Sequence, residues 1–158
     1  MTTLPAAAAR VQAAAEALGL DVEVRIMPDS TRTAADAAAA CGCTVGQIVK
    51  SLIFQGKDST RPILLLVSGS NRVDEKGVAA VLGEQIVRPD AGFVREVTGF
   101  AIGGIPPFGH SGALSTWIDE DLLQHITVWA AAGTPNAVFA VNPVKLRDAI
   151  GARALRVS

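Results

Sequence analysis

The hydrophobic pattern of the chain changes between strand-like and helix-like periods. Residues 22–27, VEVRIM, alternate apolar and polar positions, as a strand with one buried face does. Residues 62–68, PILLLVS, are almost continuously apolar, which is typical of a strand in the centre of a sheet. The N-terminal segment instead places its apolar residues on one face of a helix. This face consists of Val11, Ala14, Ala15 and Leu18.

Turn and capping residues predict the bounds of the other elements. Pro5 opens the first helix and Gly19 ends it, and Thr33 caps a second helix with Asp36 at capping-box spacing. Further strands are predicted over residues 50–56, 61–69, 84–89, 113–119, 126–133, 137–142 and 152–158, and further helices over 74–83, 89–99 and 143–151. Because there is no repeat and no linker, we predict one compact α+β domain over residues 1–158, with a mixed sheet.

Composition and charge exclude several classes of protein. The chain has 158 residues, of which 49% are hydrophobic, so it is not a disordered chain. No apolar run approaches the roughly 18 residues of a membrane span, so no membrane contact is expected. The net charge of -1 argues against a general binder of DNA or RNA, although it leaves room for a protein that contacts only the end of an RNA.

The N-terminus and the cysteines indicate a cytoplasmic protein. Residues 1–19 lack the basic start and leucine-rich core of a secretion signal, and they read as a helix. Cys41 and Cys43 are too close in sequence for an unstrained disulfide. A metal site would need more ligands than the two histidines supply, so we expect free, neutral thiols and no metal or other cofactor.

Common catalytic motifs are missing, and three segments remain as candidates. VSGSN, residues 67–71, lacks the second glycine of a nucleophile elbow, and the chain has no phosphate-binding loop. The first candidate is Lys50, which begins an apolar strand and would either hold a carbonyl or phosphate in a pocket or face solvent at a strand edge.

The other two candidates are a loop and a turn. GGIPPFG, residues 103–109, combines glycines that permit close approach to a ligand with prolines that fix the backbone. It is either a rigid binding rim or a stiff connector. AAGTPNAVF, residues 131–139, contains a Gly-Thr-Pro-Asn turn that is either a second rim or a simple hairpin.

Together, VGQIVKSLIF, GGIPPFGH and AAGTPNAVF, in this order and spacing, resemble the YbaK/ProX family of aminoacyl-tRNA editing proteins. This family is similar to the editing domain inserted in bacterial prolyl-tRNA synthetases. RVDEKGVAAVLG also resembles a family segment, and the resemblance covers residues 5–157. It implies a single α+β domain with a mixed, partly barrel-like sheet flanked by helices.

The resemblance also implies a reaction. Family members hydrolyse the ester between a wrong amino acid and the 3′-terminal adenosine of a tRNA, with help from the ribose hydroxyl and without a protein nucleophile. Lys50 matches the family's lysine and would position the phosphate of the terminal adenosine or the ester rather than attack. Gly103, Gly104 and Ile105 lie in the matching GxxxP loop, whose N–H groups would hold the ester. Further substrate-binding residues carried over in this way are Ser51, Pro106, Pro107, His110, Asp119, Gly133, Thr134 and Asn136.

Departures from the family pattern leave the amino acid open. Some branches have asparagine where this chain has Ser51, and some have a histidine near the Thr134–Asn136 turn. Alanine, cysteine, serine and threonine are all candidates, and the hydroxyls of Ser51 and Thr134 favour a small or hydroxylated one. The expected partner is the acceptor end of mischarged tRNA, with an aminoacyl-tRNA synthetase as a further candidate. Two alternatives are a non-catalytic module that binds tRNA or a synthetase, and a small-molecule-binding protein of the same fold.

Overall fold

The computed structural model of the protein describes residues 4–158. Five α-helices lie in this range, and the strands between them form two sheets. The helices are α1 (Ala6–Ala17), α2 (Ala34–Cys41), α3 (Glu75–Leu82), α4 (Ala91–Thr98) and α5 (Pro143–Ile150). The strands are β1 (Arg25–Ile26), β2 (Val49–Gly56), β3 (Pro62–Ser68), β4 (Ile86–Val87), β5 (Ser115–Asp119), β6 (Val128–Ala131), β7 (Ala137–Val141) and β8 (Arg153–Leu155).

The two sheets confirm the mixed α+β fold. The larger sheet has the order β4-β2-β3-β5-β8, with parallel pairs at β3/β5 and β5/β8 and antiparallel pairs elsewhere. The smaller sheet has the antiparallel order β1-β7-β6. A parallel bridge between Ile48 and Trp129 joins the sheets at one edge. The sheets of residues 4–158 therefore meet along one side but do not close into a barrel.

Strand β3 divides the hydrophobic core, as its apolar sequence predicts. It lies between β2 and β5, and its side chains alternate between the two faces of the sheet. Leu64 and Leu66 pack in a large core with α1 and the smaller sheet, whereas Leu65 and Val67 pack in a second core with α3 and β8. Adjacent residues of β2 therefore also face different environments, which matters for the site described below.

The predicted helix ends are confirmed by capping contacts. Thr33 Oγ1 accepts a hydrogen bond from Asp36 N, and Asp90 and Asn142 cap α4 and α5 in the same way. Helices α2 to α5 each end at a glycine with a left-handed conformation, as expected for a C-terminal cap. Leu18 was predicted to lie on the buried face of α1, but it is the C-cap residue and its side chain is exposed. Ala8 instead belongs to the buried face of this helix.

The strand predicted over residues 22–27 is much shorter than expected, since only Arg25 and Ile26 pair with β7. The prediction of its inward face was correct at Val24, which is buried. The backbone just before β1 forms hydrogen bonds with a side chain of α1 and not with a neighbouring strand. Gln12 of α1 donates from Nε2 to Val22 O at 2.9 Å and accepts from Val24 N at 2.8 Å.

Other predictions concern the membrane and the cysteines. Within residues 4–158, no helix is long and apolar enough to cross a membrane. Cys41 and Cys43 are free and half-buried, and burial raises the pKa of Cys41 to about 11 and raises that of Cys43 as well. Both thiols are therefore neutral at physiological pH. The prediction about the secretion signal depends partly on residues 1–3, which lie outside the described range.

One buried hydroxyl fixes the segment that leads into the glycine-rich loop. Thr98 is fully buried, and its Oγ1 donates to Val94 O and accepts from Phe100 N at 3.0 Å. We expect Thr98→Val to lower the free energy of unfolding by about 1–3 kcal/mol, because it leaves the buried Phe100 N–H without its acceptor. Urea denaturation measures the change. Thr127→Val is the control, since its backbone contact with Gln47 remains, and an equal loss in both variants would contradict this role of Thr98.

Candidate active site

A cavity of about 320 Å³ lies between the two sheets, next to the N-terminus of α2. Four predicted site residues form part of its wall, namely Lys50, Ser51, Gly103 and Ile105. Most other wall positions are apolar or small, which suits a small substrate group. They include Ala34, Ala37, Ile48, Leu52, Ala130, Ala131 and Val138.

The glycine-rich loop packs against the Gly-Thr-Pro-Asn turn, so the two predicted rims are in direct contact. Gly133 N donates to Gly104 O at 2.8 Å. A Cβ atom on Gly104 would lie only 2.8 Å from Thr134 N and 2.9 Å from Gly133 C, closer than backbone atoms tolerate. Glycine is therefore required at residue 104 by close backbone approach, and Gly104 itself lies behind the cavity wall.

The loop presents backbone donors beside the cavity. Gly103 has a φ angle of +103°, which favours glycine, and it lines the cavity together with the buried Ile105. Gly104 N donates to Ala101 O at 3.3 Å, whereas the N–H groups of Gly103 and Ile105 donate to no residue in the described part of the chain. Two wall residues thus retain unpaired N–H donors, which is what a polarised ester carbonyl needs.

A hydrogen-bonded chain fixes the ammonium group of Lys50. Lys50 Nζ donates to Asn71 O at 2.5 Å. The Asn71 side chain donates to Asp119 Oδ2 and to Asp121 Oδ2, both at 2.8 Å. Asp119 is only 1% exposed and also accepts from Ser68 N at 3.0 Å. Asp119 is therefore not a wall residue but the buried anchor of the loop that holds Lys50.

The surroundings of Lys50 also lower its pKa. Partial burial is the main cause, and repulsion from Arg72 adds to it, while the Asp119 carboxylate acts in the opposite direction. In its protonated form, the Lys50 ammonium is thus partly removed from water. Its charge is poorly hydrated, so a negative charge that forms in the cavity would interact with it more strongly than with an exposed lysine.

Ser51 faces away from Lys50, because side chains alternate along β2. Its neighbours on the same face, Val49 and Ile53, belong to the large core. The Oγ atom of Ser51 is buried and has no hydrogen-bond partner in the described structure. An unpaired buried hydroxyl is unfavourable by itself, and Ser51 is one of the residues that line the cavity, so this hydroxyl is a candidate contact for a polar group of a ligand.

The second predicted turn is structural rather than part of the wall. Thr134 Oγ1 donates to Asn136 Oδ1, and Asn136 Nδ2 donates to Met27 O at 3.1 Å. Thr31 donates from both its backbone N and its Oγ1 to Pro135 O. These contacts attach the segment before α2 to the turn, and the turn supports the glycine-rich loop.

The structure places the end of the loop away from the cavity. Pro107 and His110 line a separate, more open pocket together with Phe108. The His110 ring donates from Nε2 to Pro106 O at 2.7 Å and packs edge-on against Phe100. Burial lowers the pKa of His110, so it is neutral near pH 7. His110 therefore supports the loop from behind and does not reach Lys50.

Two residues of the site have no motif in the sequence to identify them. Arg32 lines the cavity and stands between two threonines in a segment that reads as a turn and helix cap. Asn71 belongs to VSGSN, which resembles an incomplete nucleophile-elbow motif and gives no sign that Asn71 binds Lys50. Local sequence does not reveal the two contacts of Asn71, because Lys50 and Asp119 lie 21 and 48 residues away from it along the chain.

Within residues 4–158, no group of three or more His, Cys, Asp or Glu side chains is placed to hold a metal ion.

Comparisons with known proteins identify a matching family and several relatives. A family model described as an aminoacyl-tRNA editing domain matches residues 28–149, which include Lys50, the glycine-rich loop and the second turn. The uncharacterized protein YwhH of Bacillus subtilis (strain 168) is 30% identical over 119 residues, which are 75% of each chain. The proline–tRNA ligase of Thermoanaerobacter sp. (strain X514) is 30% identical over 98 residues, which are 60% of this chain but only 17% of the ligase.

Solved structures share the whole fold. A structure described as a candidate trans-editing enzyme for prolyl tRNA synthetase is 45% identical, with 99% of each chain covered and a TM-score of 0.93. The hypothetical protein APE2540 is 30% identical, with 94% of this chain and 98% of that chain covered and a TM-score of 0.87. The fold that the sequence motifs imply is therefore found in proteins that match this chain over almost its full length.

Gly104→Ala tests the contact between loop and turn. The added Cβ would meet backbone atoms that cannot move aside separately, so we expect the free energy of unfolding to fall by about 1–3 kcal/mol. Thermal or urea denaturation measures it. Gly92→Ala in α4 is the matched control, because its Cβ would meet only Asp90 Oδ1 at 3.4 Å, and it should be tolerated. Equal stability of the Gly104 and Gly92 variants would contradict the close packing.

The environment of Lys50 predicts a measurable pKa. We expect the Lys50 pKa to lie below its ordinary value of 10.5, so that its charge is lost at a lower pH than that of a solvent-exposed lysine. NMR titration of ¹³C-lysine-labelled protein measures it, and the missing resonance in Lys50→Arg assigns the signal. Arg72→Ala should raise the Lys50 pKa by removing a like charge. A Lys50 pKa at or above 10.5 would refute the partly buried position.

Proposed function

Because this chain belongs to the aminoacyl-tRNA editing domain family and is an aminoacyl-tRNA deacylase, we propose that it acts in trans on mischarged tRNA. The family resemblance of the sequence is confirmed by the match over residues 28–149. The proposed substrate is the aminoacyl ester at the 3′ end of a tRNA, and the proposed setting is the cytoplasm, where charged tRNA is used. The observation that carries the proposal is that Gly103 and Ile105, whose N–H groups have no partner in the described structure, line one small cavity together with Lys50.

The loop would stabilise the reacting carbonyl. In ester hydrolysis, water adds to the carbonyl carbon and the carbonyl oxygen becomes negative before the bond to the ribose oxygen breaks. The N–H groups of Gly103 and Ile105 would donate to that oxygen. Since the loop is fixed by Gly104 and its prolines, these donors need no rearrangement during the reaction.

A protein nucleophile is not required for this reaction. The neighbouring ribose hydroxyl would accept a proton from the attacking water and pass its own proton to the ribose oxygen that leaves, so the products are a free amino acid and the tRNA hydroxyl. Lys50 would hold the ester and its developing charge, because Asn71 keeps the ammonium in one position. A lysine ammonium is a compact point charge, which suits this electrostatic role.

The cavity supports a small or hydroxylated amino acid. Its volume of about 320 Å³ must hold the amino acid side chain and part of the terminal ribose, and Ala130, Ala131 and Val138 narrow it. The unpaired Ser51 Oγ would bond a substrate hydroxyl, which favours serine or threonine over alanine or cysteine. Thr134 lies behind the wall with its hydroxyl bonded to Asn136, so we assign the polar contact to Ser51 alone.

The partners follow from the same reasoning. The net charge of -1 suits a protein that contacts only the acceptor end of the tRNA. Similarity to part of a proline–tRNA ligase makes a synthetase the natural source of the mischarged tRNA and a candidate binding partner. The proposed reaction uses water alone and involves no metal or other cofactor.

Lys50→Ala tests the proposed reaction. We expect deacylation of mischarged tRNA to fall by at least about a hundredfold, because a preorganised charge near the reacting ester is lost. Release of amino acid from Ala-, Cys-, Ser- and Thr-tRNA measures it, with circular dichroism to check the fold. Lys57→Ala is the control, since it removes an exposed lysine whose Nζ contacts Gln85. No hydrolysis of any of these tRNAs by the wild type would contradict the proposed function.

Ser51→Ala tests the basis of selection. We expect kcat/KM for Ser- and Thr-tRNA to fall roughly three- to tenfold relative to Ala-tRNA, the usual effect of one hydrogen bond between neutral groups. Stability should not fall, because Ser51 Oγ has no partner in the protein. The ratio of kcat/KM values within one protein preparation measures the effect. An unchanged ratio would remove Ser51 from substrate selection.

A further inference from the structure

Arg32 lies at the mouth of the cavity with its charge unpaired. The residue is exposed, it lines the cavity, and no Asp or Glu in residues 4–158 forms an ion pair with it. Its side chain runs over Gly103, since a Cβ on that glycine would lie 3.7 Å from Arg32 Nε and 3.8 Å from its Cγ. The guanidinium group is therefore next to the loop that would hold the ester.

The backbone around Arg32 is fixed although its side chain is free. Thr31 N donates to Pro135 O at 2.7 Å, which attaches one neighbour to the second turn. Thr33 on the other side caps α2 by accepting from Asp36 N at 3.1 Å. A charged side chain on an anchored backbone, with no partner in the described protein, is suited to bind an anion from a ligand.

The two cations of the cavity wall differ in what they can contact. Lys50 is half-buried, and its ammonium is held by Asn71. Arg32 is exposed at the mouth, where the part of the substrate outside the cavity must pass. In an aminoacyl-tRNA, the group next to the terminal ribose is the phosphodiester on its 5′ oxygen. With the ribose ester held at Gly103, this phosphate would lie towards the mouth of the cavity, where Arg32 stands.

We infer that Arg32 binds the 5′-phosphate of the terminal adenosine and so positions the ester against the glycine-rich loop. This inference rests on the proposed function and adds a positioning residue to it. A guanidinium group bonds a phosphate through two parallel N–H groups, which fixes orientation as well as position. The contact also distinguishes an RNA end from a free amino acid ester, which has no phosphate.

Two substrates that differ in this phosphate test the inference. Seryl-tRNA carries the phosphate, whereas seryl-adenosine, esterified on the ribose, does not. We expect Arg32→Ala to lower kcat/KM for seryl-tRNA roughly 10- to 100-fold, chiefly through KM, and to lower that for seryl-adenosine by a much smaller factor. Arg32→Lys should restore part of the activity on seryl-tRNA. Arg95→Ala is the matched control, since it removes the same charge from an exposed position of α4 outside the cavity wall.

Equal losses in the Arg32→Ala and Arg95→Ala variants would overturn the inference, as would an equal loss on both substrates. A binding measurement tests the phosphate-binding role of Arg32 independently of the proposed reaction. Wild-type protein should bind 5′-AMP more tightly than adenosine in an NMR titration, and Arg32→Ala should bind both equally. If the wild type hydrolyses no ester yet shows this Arg32-dependent preference, the proposed reaction fails and the phosphate site stands. If there is no preference for 5′-AMP, the phosphate site fails.

Discussion

The site depends on one close backbone contact, between Gly104 of the glycine-rich loop and Gly133 of the second turn. Their hydrogen bond of 2.8 Å and the absence of room for a Cβ atom hold two distant segments together. The loop lies between α4 and β5, and the turn joins β6 to β7 in the other sheet. The contact therefore closes one side of a cavity between the sheets. It also explains why residue 104 is a glycine, since a side chain there would separate the loop from the turn.

Around this contact, polar groups in the interior are mostly paired with each other rather than directed at the cavity. Asp119 and Asn71 hold the loop that positions Lys50, while Asn136 holds the turn. Within the described residues, the cavity lining carries several groups without a partner, namely the N–H groups of Gly103 and Ile105, the Ser51 hydroxyl and the Arg32 guanidinium. Because unpaired buried polar groups are costly, their concentration in one place indicates where a polar ligand binds.

The sequence predicted the fold and the family better than the roles of individual residues. Apolar periods and glycine caps located the helices and the long strands, because these signals are local. The strand over residues 22–27 was overestimated, since Gln12 replaces its pairing partner and no local pattern reveals this contact. Lys50, Ser51, Gly103 and Ile105 line one cavity as grouped from the motifs, whereas His110 and Pro107 face another pocket and Asp119 is a buried anchor. The order of the motifs indicates which segments contribute to the site, but it does not indicate which residues of a loop face the ligand.

The central claim is that the N–H groups of Gly103 and Ile105 hold the ester carbonyl. A crystal structure with a non-hydrolysable analogue, in which an amide joins serine to the 3′ carbon of adenosine monophosphate, tests it most directly. The account predicts that the carbonyl oxygen lies within about 3 Å of both nitrogen atoms, with the serine side chain in the cavity beside Ser51. An analogue bound with its carbonyl away from the loop, or seated in the pocket beside His110, would contradict the account.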